Sequence, residues 1–310
     1  MSVEKKRKST LLSTILRRGD YQLYLLLLPT IIYFVIFHYG PMYGLQIAFK
    51  DFIAAKGIWG SPWIGFEHFR RFFRSYQFSK VLRNTVGLSF YQLFAGFPVP
   101  IILALLLNQL VSRQYRKLVQ TVTYAPHFIS VVVLAGMLTL FLSPSSGVVN
   151  HVIRMISGKS VFFLAEPKWF KTVFVFSGIW QNTGWNAIIY LAALAGINPE
   201  LHEAAIVDGA KKIQRIIHID VPGILPTAVI LLILNMGRIM NVNFQKVLLL
   251  QNYLNLESSE VIKTYVYKIG LLNAQYGYST AIGLFNNLIN LTLVLTVNRI
   301  AKSLGRTSLW

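Results

Sequence analysis

Six apolar stretches, at residues 22–40, 84–108, 119–142, 172–195, 224–244 and 279–298, are each long enough to cross a bilayer, where a helix needs about 20 predominantly apolar residues. Membrane-spanning β-strands would be about half that length and would alternate in polarity. The pattern therefore predicts an all-α membrane protein of six transmembrane helices. Composition agrees: the mean hydropathy of the 310-residue chain is +0.52 and only 13% of it is charged, which fits water-soluble domains poorly.

The first stretch follows Lys5, Lys6, Arg7, Lys8, Arg17 and Arg18, an arrangement shared with secretory signals. Its 19 residues exceed a signal's apolar core, and no small-residue cleavage site follows. It is read as a retained span behind a basic arm, 1–21. The net charge of +19 does not indicate nucleic acid, because the Lys and Arg residues sit in flanks and loops beside spans, where the surface of the lipid bilayer accounts for them. With the N-terminus inside, the 30 basic residues divide equally between the two sides. The orientation rule weighs short segments near span ends, and the arm and the linker Arg113, Arg116, Lys117 both favour the inside. Both termini are thus expected in the cytoplasm, with 22–303 as the six-helix domain and 304–310 as a tail. The stretch 200–222, between the fourth and fifth spans, then faces the cytoplasm.

Several chemistries drop out. The chain has no cysteine, which removes disulfides, thiolate metal sites and cysteine nucleophiles. Ser157–Ser160 resembles the end of a phosphate-binding loop, but Ile153 stands where that loop needs glycine. His202–Ala205 begins like a zinc-protease helix, yet Ile206 occupies the second ligand position. No catalytic or metal-binding residue and no bound cofactor is expected. The spans contain no Asp or Glu, and Arg238 is their clearest buried charge, so a proton-driven carrier is disfavoured. The outer segment 41–83 is dense in aromatics, including Trp59, Trp63, Phe66 and Tyr76, which suit either an interfacial belt or docking of an external partner.

Within the cytoplasmic stretch, residues from Pro199 to Ala210 favour helix except at Gly209, and Glu200 and Glu203 suit the helix dipole near its start. Ala204, Ala205 and Ala210 keep its profile low, and Gly209 permits close approach of another backbone. Ile213, Ile216, Ile217 and Ile219 lead to Val221-Pro222 and the next span. An interfacial linker helix would satisfy these features equally well.

The segment Glu203–Pro222, EAAIVDGAKKIQRIIHIDVP, closely resembles the EAA motif of type I ABC-importer permeases. It matches at Glu203, Ala204, Ala205, Asp208, Gly209, Ala210, Ile219 and Pro222; Ile216 and Val221 stand where Phe and Leu are common. YGPMYGLQIAFKDF, GSPWIGFEHF, NVNFQKVLLL, VIKTYVYKIGL and the closing TSLW extend the resemblance to the carbohydrate branch of LplB/YteP type, related to the maltose permeases. The resemblance implies a sugar-importer permease of the bacterial cytoplasmic membrane. Its implied partners are a second permease, two ATPase subunits that carry ATP and magnesium, an external solute-binding lipoprotein and an oligosaccharide substrate. It also implies that the helix at 200–210 is a coupling helix seated in a groove of the ATPase.

Sugars present hydroxyl edges and flat apolar faces, which amides and aromatic rings match. Trp180, Gln181, Asn182, Trp185 and Asn186 lie in span four, Asn235, Arg238, Met240, Asn241 and Asn243 in span five, and Asn286, Asn287 and Asn290 in span six. Hydrogen bonding between helices is the competing role for such amides. Position relative to the motif in maltose-type permeases points to Gln181, Asn182, Trp185, Met240 and Asn243. Arg238 suits the carboxylate of a uronate, or alternatively snorkels to the outer headgroups. A permease for a non-sugar solute and a non-transport membrane scaffold remain as alternatives.

Overall fold

The computed structural model describes residues 21–303; the arm 1–20 and the tail 304–310, including the closing Thr-Ser-Leu-Trp, lie outside the described residues. Among the described residues the regular elements are helical, and the one strand-like pairing is a bridge between Lys50 and Trp63. Helix α1 (Tyr21–Phe34) continues through a π turn and a 3-10 turn as far as Phe49. None of the α1 residues is buried, so its Leu-rich surface is free of the rest of the chain. Short α2 (Glu67–Arg74) buries Phe72, whose ring meets Phe285 edge-on at 5.7 Å.

Helix α3 (Tyr76–Gly96) starts where the Ser75 side chain accepts from the Phe78 N–H, and α4 (Pro98–Asn108) continues it, giving 33 residues in all. After α5 (Arg113–Tyr124) the chain bends by 99° into α6 (Val131–Phe141). The expected single span at 119–142 is thus a broken pair. Pro126 lacks an N–H and lies in the 3-10 turn Ala125–Phe128, and Ser130 restarts the helix by capping Val133 N–H.

Helix α7 (Pro167–Ala195) runs for 29 residues, roughly 43 Å at 1.5 Å per residue. It precedes the short loop helix α8 (Pro199–Val207) and α9 (Val221–Met236). The expected fifth span at 224–244 therefore ends early: α9 stops at Met236, the chain turns through 237–243, and α10 (Phe244–Leu250) starts under the Asn243 cap. The last helix, α11, is Tyr276–Ser303.

By length and apolarity four helices of the described residues can cross a membrane, or five when the bent α5–α6 pair is taken as one span. Helix α7 has the length, but Gln181, Asn182 and Asn186 make its middle polar. The six expected spans map onto these four helices, the bent pair and α7.

Helix α7 runs through the interior, with Phe170 and Phe174 in one buried cluster beside Leu88 and Val247, and Ala187 and Tyr190 in another beside Ala104 and Ile224. Between them Gly184 lies so close to α5 that a Cβ would overlap the backbone of Thr123. That obstacle is main chain and cannot rotate away, so Gly184→Ala should destabilise the protein by about 1–3 kcal/mol. A lowered melting temperature of the detergent-purified protein is the expected result; an unchanged one would show that the two helices are not in close contact.

Candidate functional site

Two regions hold the residues singled out by sequence. In the loop between the fourth and fifth expected spans, α8 starts with Pro199 in its first turn, and Asn198 Oδ1 accepts from Glu200 N–H at 3.1 Å. This is the preferred chemistry for a helix start. The helix ends at Val207, three residues before the expected limit, because Gly209 takes φ +78° and Ala210 N–H bonds back to Ala205 O at 2.8 Å. Glu203, Ala204, Asp208 and Gly209 are exposed, as are Ile206 and Val207, while Ala205 and Ala210 are partly covered. The loop therefore presents an outward face mixing two acids, small residues and two aliphatic side chains. Ile216 opens a π turn, Ile216–Asp220, and Pro222 lies in the first turn of α9.

The second region is a cavity of about 590 Å³ lined by α3, α4, α7, α9 and the turn after α9. Gly178, Asn182 and Asn186 line it from α7, Gln92 from α3, and Asn235 and Arg238 from α9 and its end, with Asn241 and Asn243 beside them. Spacing by four residues places 178, 182 and 186 on one helix face. No Asp or Glu is among the lining residues, and Arg238 is the charged group on the wall.

The structure thus brings Asn182, Arg238 and Asn243 together and places Gln181, Trp185 and Met240 elsewhere. Gln181 is buried and donates from Nε2 to Ile129 O at 2.8 Å, inside the break between α5 and α6. Trp185 stacks on His127 with ring centres 4.5 Å apart and planes within 4°. Met240 is a core residue, and its N–H donates to Asn290 Oδ1 at 3.0 Å. Asn182 is itself held at both ends, Oδ1 3.1 Å from His127 Nδ1 and Nδ2 donating to Gly178 O at 3.0 Å. Asn286 donates to Asn241 Oδ1 at 3.3 Å, so the last helix helps to fix the turn.

Arg238, expected as a buried charge, is exposed on the cavity. The reason is the early end of α9, which puts Arg238 on a turn instead of inside a span. Two cations of the described residues are deeply buried, Lys50 and Lys246, and Lys246 is absent from the sequence-based candidates. Only 3% exposed, it donates to Phe174 O at 2.9 Å and sits 4.8 Å from the Phe174 ring centre. No carboxylate of the described residues lies within ion-pair reach of it. A lone Lys just before the apolar run VLLL, after Asn-Phe-Gln, is its only signal in the sequence.

A membrane helix bundle enclosing a polar, acid-free cavity, with an exposed helical loop between two of its long helices, defines a solute-translocating membrane subunit. The chain belongs to the family described as binding-protein-dependent transport system inner membrane component, whose sequence profile matches residues 96–306. It is a multi-pass membrane permease. It is 41% identical to Protein LplB of Bacillus subtilis (strain 168), covering 94% of this chain and 92% of that protein. It is also 41% identical to the polygalacturonan/rhamnogalacturonan transport system permease protein YteP of the same strain, covering 99% and 95%. Among solved structures, a chain of a bacterial ABC transporter involved in the import of the acidic polysaccharide alginate matches with TM-score 0.87 and 46% identity, covering 94% of this chain and 98% of that one. A chain of the bacterial alginate ABC transporter in complex with alginate pentasaccharide-bound periplasmic protein matches with TM-score 0.89 and 44% identity, covering 97% and 100%.

Gly209 gives a local test of the loop. A Cβ at φ +78° costs roughly 1–2 kcal/mol, so Gly209→Val should loosen the end of α8. Faster tryptic cleavage at Lys211 and Lys212 in the folded, membrane-inserted protein is expected; unchanged cleavage would show that the left-handed turn does not hold the loop.

Proposed function

We propose that the chain is the permease subunit of an ATP-driven importer of oligosaccharides, and that it forms the translocation path together with a second permease. The observation that carries this reading is the cavity, whose amide-rich and partly apolar wall suits sugar hydroxyls and faces. Gln92, Asn182, Asn186, Asn235, Asn241 and Asn243 offer donors and acceptors there. The extent of similarity to LplB, YteP and the alginate transporter chains supports the same assignment.

The substrate class we favour is an acidic oligosaccharide. A guanidinium matches a carboxylate in a bidentate pair, and Arg238 faces the cavity with no competing acid on its wall. That the solved relatives serve alginate, an acidic polysaccharide, agrees with this. An extracellular binding protein delivers the sugar, and ATP with magnesium is held and hydrolysed by a separate pair of ATPase subunits. Both termini face the cytoplasm. The outward face of the loop with Glu203, Ala204, Asp208 and Gly209 seats in a groove of the ATPase, with Ala205, Ala210, Ile216 and Pro222 shaping the loop behind it. The spans then exchange between two discrete states.

The test is uptake of labelled oligosaccharides by the complete transporter in proteoliposomes. Glu203→Lys should insert normally and abolish uptake, which a mere scaffold would not show. Arg238→Ala should lower uptake of a uronate oligosaccharide by roughly 10- to 100-fold, the worth of a hydrogen bond to a charged group, and leave a neutral one nearly unaffected. Equal effects on both sugars would remove the acidic-substrate assignment. Uptake of a peptide or phosphate in place of sugar would remove the carbohydrate assignment altogether.

A further inference from the structure

Asp220 is 0% exposed and immediately precedes α9. A buried carboxylate is costly unless partnered, and its partners come from two other elements. Gln109, which caps the end of α4, donates from Nε2 to Asp220 Oδ2 at 3.0 Å. His202, in the first half of α8, places Nε2 3.3 Å from Asp220 Oδ1, a contact that is an ion pair when the imidazole is protonated. Arg215 contributes further positive charge to the same carboxylate.

A second contact ties the same junction. The Ile197 side chain, just ahead of α8, occupies the space where Gly223 in the first turn of α9 would carry a Cβ. The loop helix is thus fixed to α9 both through His202 and through the residues that precede it. Its opposite face, with Glu203, Ala204 and Val207, is open. The helices joined at this point also wall the cavity, through Pro100 on α4 and Leu231 and Asn235 on α9.

We infer that Asp220, His202 and Gln109 form an inner latch that makes α8, α9 and α4 move as one body, so that a push on α8 reaches the cavity wall. This rests on the function proposed above. The three are positioning residues, since none lines the cavity. If the latch were absent, a partner could shift the loop helix without moving the helices that enclose the solute, and ATP hydrolysis would be separated from transport.

The experiment measures sugar imported per ATP hydrolysed by the complete complex in proteoliposomes. His202→Ala and Asp220→Asn should each lower that ratio by about tenfold or more, as loss of a buried charge pairing can, while basal ATP hydrolysis stays within about twofold. His202→Gln, which keeps a donor, should recover part of the loss. The double variant should be no worse than the worse single one, because both remove the same link. If Asp220→Asn fails to insert, His202→Ala decides, since that side chain is partly exposed. An unchanged ratio in His202→Ala, or losses that simply add in the double variant, would overturn the latch while leaving the transporter reading intact. An unmutated complex that hydrolyses ATP and imports no sugar would overturn that reading, and the latch with it.

Discussion

A backbone N–H or C=O left without a partner in hydrocarbon costs several kcal/mol, and this penalty governs where the bundle can interrupt its helices. Two interruptions shape the interior. At the first, between α5 and α6, Gln181 supplies a donor to Ile129 O and Ser130 accepts from Val133 N–H. At the second, after Met236, Asn290 accepts from Met240 N–H and Asn243 accepts from Lys246 N–H. In each case one amide comes from a facing long helix and one capping group comes from the turn itself. The polar residues within the apolar segments are therefore a condition for breaking the helices there.

This condition separates two populations of amides that look identical along the chain. Gln181 and Asn182 are neighbours in sequence, but one helical step turns the first toward the broken span and leaves the second on the cavity. Residues 178, 182 and 186 follow each other along one face of α7, where glycine and two asparagines leave room and hydrogen-bonding capacity. Gln181 instead lies on the side that meets Ile129, and Trp185 on the side that meets His127. Once the amides that hold the backbone breaks are set aside, Gln92, Asn182, Asn186, Asn235 and Asn241 converge on one volume, while Asn287 lies exposed outside it. The stacked His127 also orients Asn182, so the break and the cavity share a wall.

Much of the loop around α8 is legible in the sequence because its residue types act locally. Pro199, Asn198 and Gly209 state a helix start and a left-handed end almost independently of what surrounds them, and the error in its length was three residues. The breaks were less legible for the opposite reason. Pro126 can interrupt a helix locally, yet neither the 99° bend nor the donor that meets Ile129 O can be read from residues near it, since that donor is 52 positions away. The early end of α9 was hidden because Ile239, Met240 and Val242 are buried in the following turn, which extends the apolar signal beyond the helix. That extended signal gives Arg238 a buried place, and Lys246 falls just after it.

The two ends of α9 are held in different ways, and the difference has a mechanical consequence. At its inner end Asp220 and Gly223 join it to α8 and α4 through a buried charge and a close apolar contact. At its outer end Gly237 lies against Val294 of α11, where a Cβ would come within 3.3 Å of a methyl group, and Asn290 holds the next turn. Sixteen residues, roughly 24 Å of helix, separate these attachments. A helix clamped at both ends by packed groups transmits displacement as tilt more readily than as bending, because packed contacts hold discrete positions and do not deform smoothly. Leu231 and Asn235, near the outer attachment, would then rotate against the α7 face that carries Asn182. The inner tie and the outer turn are thus complementary requirements: the first gives α9 something to be moved by, and the second gives it a fixed point to move about.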